Sequence, residues 1–143
     1  RLVAGFEAAL AGQAARAARL RREPGAYHYP NGYTSGADTL ASEVMDRAGL
    51  ENAAAALGLS GAARLGLERL VMLEPFLVRT APISGARSGR AYETADHPAL
   101  AELARRVGGA RFAERLQVCG TPFLAEAVAA LVDARTAGAA AAE

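Results

Sequence analysis

Lysine is absent from this chain: all sixteen basic residues are arginine. A catalytic lysine is therefore excluded outright, and so is a phosphate-binding P-loop, whose lysine has no counterpart in "GARSGRAYET". Cysteine is almost absent. Cys119 stands alone, so neither an intrachain disulfide nor a cysteine-based metal cluster can form. Long apolar runs are missing, and no stretch reaches the length needed to span a bilayer. An excess of either charge is missing too. A net charge of +1 provides no field of the kind that attracts nucleic acid.

Several chemical fingerprints are also wanting. The piece "NGYTSG" lacks the spacing of a dinucleotide loop. None of Ser35, Ser42, Ser60, Ser84 and Ser88 sits in a nucleophile elbow G-x-S-x-G. His28 and His97 are far apart, and neither belongs to a ligand-spaced cluster. His28 is expected to be a strand histidine packed under a helix.

What is present suits one globular domain. Of 143 residues, 52% are hydrophobic and 22% charged, enough apolar material for one sizeable core. From Arg1 to Arg22, Leu2, Phe6, Leu10, Ala17 and Leu20 recur at helical steps. Arg16, Arg19, Arg21 and Arg22 load the C-terminal end, and Pro24-Gly25 is read as its stop. "AYHY" is read as a strand with Tyr27 and Tyr29 on one face and Ala26 and His28 on the other. Ser35 and Asp38 have capping-box spacing ahead of a helix with Leu40, Val44 and Met45 inward and Gly49 at its end.

"ENAAAALG" has no clear pattern beyond a connection or short helix. Leu65 to Leu73 reads as a helix with Leu67, Leu70 and Val71 inward and Glu68 outward; Pro75 ends it. "FLVRT" is a buried strand, and "APISGARSGRAYET" a long polar loop. Pro98 starts a helix with Leu100, Leu103 and Val107 inward. "RLQV" is read as a third strand. Thr121-Pro122 opens a last helix with Leu124, Val128 and Leu131 inward, and "TAGAAAAE" is expected to fray.

Strands alternating with helices predict an α/β fold, a three-layer lobe with a small, mainly parallel sheet. Right-handed crossovers place the loops Pro30–Gly36, Ala81–Thr94 and Cys119–Pro122 at one sheet edge, where open α/β sheets bind ligands. Arg79, Arg87 and Arg90 are candidates there for an anionic ligand. Tyr33 offers a flat face and a hydroxyl at the mouth of the first loop. Two features stand outside this scheme. The leading helix is long for so small a sheet. The chain also opens inside a helical pattern without an initiator methionine, so it is expected to be a fragment or processed product.

"NGYTSGADTLASEVMDRAGLENAA", "LGLERLVMLEPFLV", "HPAL" and "CGTPFLAEAVAAL" together resemble the C-terminal lobe of helical-backbone (class III) periplasmic substrate-binding proteins. These serve ABC importers of ferric siderophores, haem and cobalamin. The resemblance covers nearly the whole chain. It rests on the order and spacing of soft motifs, including Ala48 to Asn52 and Leu65 to Val78. Where the family usually has Pro-Asp before a strand, this chain has Pro75-Phe76.

The resemblance implies two α/β lobes joined by a rigid helix. Residues 1–22 would be the end of that helix and 23–143 the C-terminal lobe, with the N-terminal lobe absent from this chain. It implies an extracytoplasmic binding protein that performs no chemistry, needs no cofactor of its own, and docks on a membrane permease. Glu68 matches the position of a docking acid. Tyr33, Arg79, Arg87, Arg90 and Tyr92 are ligand candidates by their place on the loop edge. Leu2, Phe6 and Leu10 would be uncovered without the other lobe, and a second copy of the fragment is a possible cover.

Two other classes compete. One is a doubly wound α/β enzyme using a loop acid or Cys119, read here at a strand end before a helix, where a thiolate would be stabilised if His28 or His97 came near. The other is a protein-interaction module that binds no small molecule.

Overall fold

The computed structural model describes residues 1–81 and 89–141. A four-stranded, wholly parallel sheet lies at its centre. The strands are β1 (Glu23–Tyr27), β3 (Leu50–Asn52), β5 (Phe76–Ala81) and β6 (Gly109–Ala113), in spatial order β3-β1-β5-β6. A separate antiparallel pair joins β2 (Tyr33–Ser35) to β4 (Ala62–Arg64). The helices are α1 (Leu2–Ala17), α2 (Leu40–Arg47), α3 (Ala53–Ala56), α4 (Leu67–Leu73), α5 (Pro98–Val107) and α6 (Leu124–Ala141).

Alternation along the strands divides the core between the two faces of the sheet, which is how a buried parallel sheet must be packed. Tyr27, Phe76, Val78, Ala110 and Phe112 point to the face covered by α1, α2 and α6. There they join Val44, Met45, Ala48, Val128, Leu131 and Val132. Ala26 and Leu77 point the other way and meet Ala53, Leu70, Leu100 and Leu103 beneath α3, α4 and α5. The expected three-layer α/β/α lobe is present.

Some boundaries differ from the sequence reading. The first helix ends at Ala17, and β1 already begins at Glu23, so Pro24 and Gly25 lie inside the strand. Gly25 fits because β1 runs close to Leu50: a Cβ there would come within 3.1 Å of that side chain. Strand β3 falls in "LEN", a segment too short to show alternation.

The third expected strand is displaced. "RLQV" forms a 3-10 turn (Glu114–Leu116) and a bend, and the strand is "GARFA" just before it. Its leading glycine and outward Arg111 masked the pattern. Gly109 is needed because a Cβ would lie 2.7 Å from the Leu77 carbonyl oxygen. Of the C-terminal segment expected to fray, Thr136 to Ala141 continue α6 as helix.

The cap of α2 differs too. Thr39, not Ser35, is the N-cap, its hydroxyl accepting from the Ser42 amide at 3.1 Å. Ser35 lies in β2, and its hydroxyl donates to Tyr29. Leu40 is 37% exposed and does not belong to the buried stripe. Gly49 follows α2 with φ +76°, the left-handed position that ends helices.

Candidate functional site

The chain leaves β1 toward β3 at one edge of the sheet, then crosses back to β5 and β6 on the other side. Connections that diverge in this way open a crevice at the carboxyl ends of the strands. A cavity of about 80 Å³ lies there. The end of β1 contributes His28 and Tyr29, β5 contributes Arg79, and β6 contributes Arg111. Thr80, Glu114 and Tyr92, the last from the 3-10 turn Arg90–Tyr92, also line it.

Tyr29 is held from behind by a hydrogen-bonded chain. Tyr27 Oη donates to Gln117 Oε1 at 2.7 Å, and Gln117 Nε2 donates to Tyr29 Oη at 3.2 Å. Ser35 Oγ also donates to Tyr29 Oη, at 3.2 Å. The two tyrosine rings stack at 5.4 Å between centroids. The Tyr29 phenol is therefore fixed in place. Burial raises its pKa, and the hydrogen bonds from Ser35 and Gln117 offset part of that rise.

His28 is 4% exposed, and its Nε2 has no hydrogen-bond partner among the described residues. Burial first, and the positive charge of Arg79 second, lower its pKa, so the ring stays neutral at pH 7.

A second anchor fixes the first loop. Asn52 Oδ1 accepts from the amides of Ala54 and Ala55 and so caps α3. Its Nδ2 donates to the carbonyls of Ser35 and Gly36 and to the Ser42 hydroxyl, at 3.0 to 3.2 Å. One side chain ties the β1–α2 crossover to the end of β3. This gives a physical reason for asparagine at the end of the Ala48–Asn52 motif.

The structure brings Arg79 and Tyr92 together on the cavity wall. Arg90 is exposed in the same turn as Tyr92. Tyr33 opens strand β2 instead of lying on a loop; it is exposed and lines no part of the cavity, and the guanidinium of its register partner Arg64 lies over its ring at 5.4 Å. Arg87 lies outside the described residues. Glu68 is exposed in the first turn of α4, as expected.

His28, Tyr29, Arg111 and Glu114 are among the lining residues that escaped the sequence reading. His28 was assigned to the core because burial is the usual fate of a strand histidine. Tyr29 was assigned to a strand face. Arg111 and Glu114 were hidden by the misplaced third strand. A signal existed in "GARFA": an arginine at the centre of a short strand aligns with Arg79 once the strand is placed.

Cys119 is not at a strand end. It is exposed in the bend after the 3-10 turn and outside the cavity lining, because the strand thought to precede it lies earlier in the chain. The helix-and-strand setting expected to activate its thiol does not exist. Among the described residues, no three His, Cys, Asp or Glu side chains gather closely enough to hold a metal ion. No helix of the described residues is long and apolar enough to cross a membrane.

Neither a protein-family model nor a curated protein matches the sequence. Solved structures do match the fold. One is the nickel–histidine complex of CeuE from Helicobacter pylori, at 17% identity and a TM-score of 0.75 over 97% of this chain and 45% of that one. A second is an ABC-type Fe3+-hydroxamate transport system protein from Saccharomonospora viridis. It is 20% identical with a TM-score of 0.71, over 93% of this chain and 47% of that one. A third is the periplasmic haem-binding protein RhuT from Roseiflexus, at 21% identity and a TM-score of 0.69 over 94% of this chain and 56% of that one. The chain thus has the fold of part of these binding proteins and spans about half their length.

Proposed function

We infer that this chain is the C-terminal lobe of an extracytoplasmic substrate-binding protein of an ABC importer. In this reading it binds a metal chelate in a cleft shared with a second lobe. The observation that carries it is the coincidence of the fold with the place of the cavity. Nearly the whole chain superposes on about half of an Fe3+-hydroxamate transport protein and of a periplasmic haem-binding protein. Its cavity lies at the sheet edge where this topology binds ligands.

The residues at that edge suit binding and not turnover. Arg79 and Tyr92 line the cavity, and Arg90, Tyr33 and, by sequence, Arg87 are assigned with them to the ligand. Residues 1–22 are assigned to the inter-lobe helix. Exposed Leu2 and Val3, with half-buried Phe6 and Leu10, suit a helix that continues against another lobe.

Docking on the permease is assigned to Glu68. It is exposed on α4, and Met72, one helical turn along, is 83% exposed and gives the same face an apolar contact. Glu68→Arg in the intact protein should abolish capture of its permease in a pull-down while chelate affinity stays the same. Capture equal to that of the unaltered protein would refute this docking surface, and loss of chelate binding would show that Glu68 serves the ligand instead.

A further inference from the structure

We propose that His97 makes the cavity wall acid-sensitive: a proton on its ring uncaps α5 and loosens the segment that carries Tyr92 and Ala95 to the cavity. The consequence for ligand affinity rests on the binding-lobe reading above; the uncapping itself does not.

Helix α5 is capped in an uncommon way. Asp, Asn, Ser and Thr are the side chains that ordinarily hold a first-turn amide. Here His97 is the N-cap, and its Nδ1 accepts from the Ala99 amide at 3.1 Å. Pro98, at the first helical position, has no N–H to satisfy. The Leu100 amide is taken by the His97 carbonyl at 2.9 Å. Ala99 is thus the first-turn donor that depends on the ring.

An imidazole accepts only through an unprotonated nitrogen, and in the charged ring both nitrogens are donors. Capping and charging of His97 therefore exclude each other. A positive ring would also meet the positive end of the α5 dipole. Both effects act in one direction: the cap holds while the ring is neutral and fails once it is charged. Histidine side chains change charge between about pH 8 and about pH 5. The residue is exposed, so a proton reaches it without any opening of the fold. Glu93 and Asp96 in the same segment, and Glu68 on α4, which packs against α5, favour the charged ring. Arg69 on α4 and Arg79 on β5 oppose it. These groups set where on the pH scale the ring charges, not which way the cap responds.

The cap is the last link in a run of turns. The Tyr92 amide donates to the Gly89 carbonyl, Asp96 to Tyr92 and His97 to Thr94, at 3.0 to 3.3 Å, and the ring joins this run to α5. Tyr92 and Ala95 lie within the run and line the cavity.

The test is amide hydrogen exchange of the intact protein, read as protection factors at about pH 7.5 and about pH 5.5. Protection at Tyr92, Asp96 and Ala99 should fall about fivefold in acid, the usual worth of an N-cap, while Leu77 and Val78 keep theirs. His97→Asn caps at either pH and should hold its neutral protection in acid. His97→Ala should show the acid pattern already at neutral pH. Calorimetric titration with haemin, cyanocobalamin and an uncharged ferric tris-hydroxamate then reads affinity. A probe that binds should lose about fivefold more in acid from the parent than from His97→Asn. His28, the other histidine, lines the cavity itself, so the difference between the two proteins at one pH is what counts. Equal protection of the parent at both pH values, or an equal acid loss in His97→Asn, would overturn the switch and leave the binding-lobe reading intact. Uncapping in acid with no probe bound at either pH would confirm the switch in the fold and overturn that reading, together with the loss of affinity drawn from it.

Discussion

Replacing Arg135 by alanine should lower the unfolding free energy by about 3 kcal/mol, read from urea unfolding. Arg135 projects from α6, and its side chain is 2% exposed. Its Nε donates to Glu23 Oε1 at 3.0 Å. Nη1 donates to the Ala48 carbonyl at 2.6 Å, and Nη2 to the Arg21 carbonyl at 2.5 Å. One guanidinium thereby joins the C-terminal helix, the end of α2 and the entry to β1.

Alanine removes the charge and leaves two carbonyls and a carboxylate without it. Glu23 is one-third exposed, so water partly replaces its partner, and the estimate sits at the low end for a broken buried pair. Arg135→Lys keeps the charge but not the fork, and should recover only part of the loss. A loss below about 1 kcal/mol for Arg135→Ala would show that solvent satisfies all three acceptors.

Gly36→Ala should cost a further amount of the same order, about 2–3 kcal/mol, and should loosen the first loop. A Cβ on Gly36 would sit 2.3 Å from the Leu59 carbonyl oxygen and 2.7 Å from the Ser60 nitrogen. Both obstacles are backbone and cannot turn aside. The strain falls on the bonds from Gly36 N to the Gly61 carbonyl and from Ala37 N to the Leu59 carbonyl, at 2.8 and 2.9 Å. It also disturbs the Asn52 contact with the Gly36 carbonyl.

Amide hydrogen exchange distinguishes this from a general loss of stability. Exchange at Gly36, Ala37 and Gly61 should rise more than at Leu77 and Val78 in the central strand. A uniform rise would mean that the loop is not the point of weakness.

Layering and most inward faces were legible because periodicity of 2 and 3.6 reports directly on burial. Leu70, Leu77, Leu100, Leu103, Val128 and Leu131 all stand where their spacing placed them. Boundaries were legible only where the chain carries a sharp signal, such as Pro98 or Gly49. Strand β6 was missed because three small or charged residues, Gly109, Ala110 and Arg111, open it. Its fitness as a strand comes from a close approach to Leu77 that only tertiary structure reveals. The same error hid Arg111, and with it the arginine pair. His28 was seen, but a single sequence cannot distinguish a satisfied core histidine from one whose Nε2 is left open at a cavity. Asn52 could be matched as a motif letter, while its role as a five-bond anchor needed the fold.

The central claim is that this chain forms one wall of a chelate-binding cleft. The most direct measurement is intrinsic tyrosine fluorescence of the intact protein during titration with ferric siderophores, haemin and cobalamin. The chain has four tyrosines and no tryptophan, and Tyr29 and Tyr92 line the cavity. The account predicts saturable quenching with one chelate bound per protein, by at least one member of the panel. Tyrosine emission that stays constant across the whole panel, once absorption by the chelates is subtracted, would contradict it.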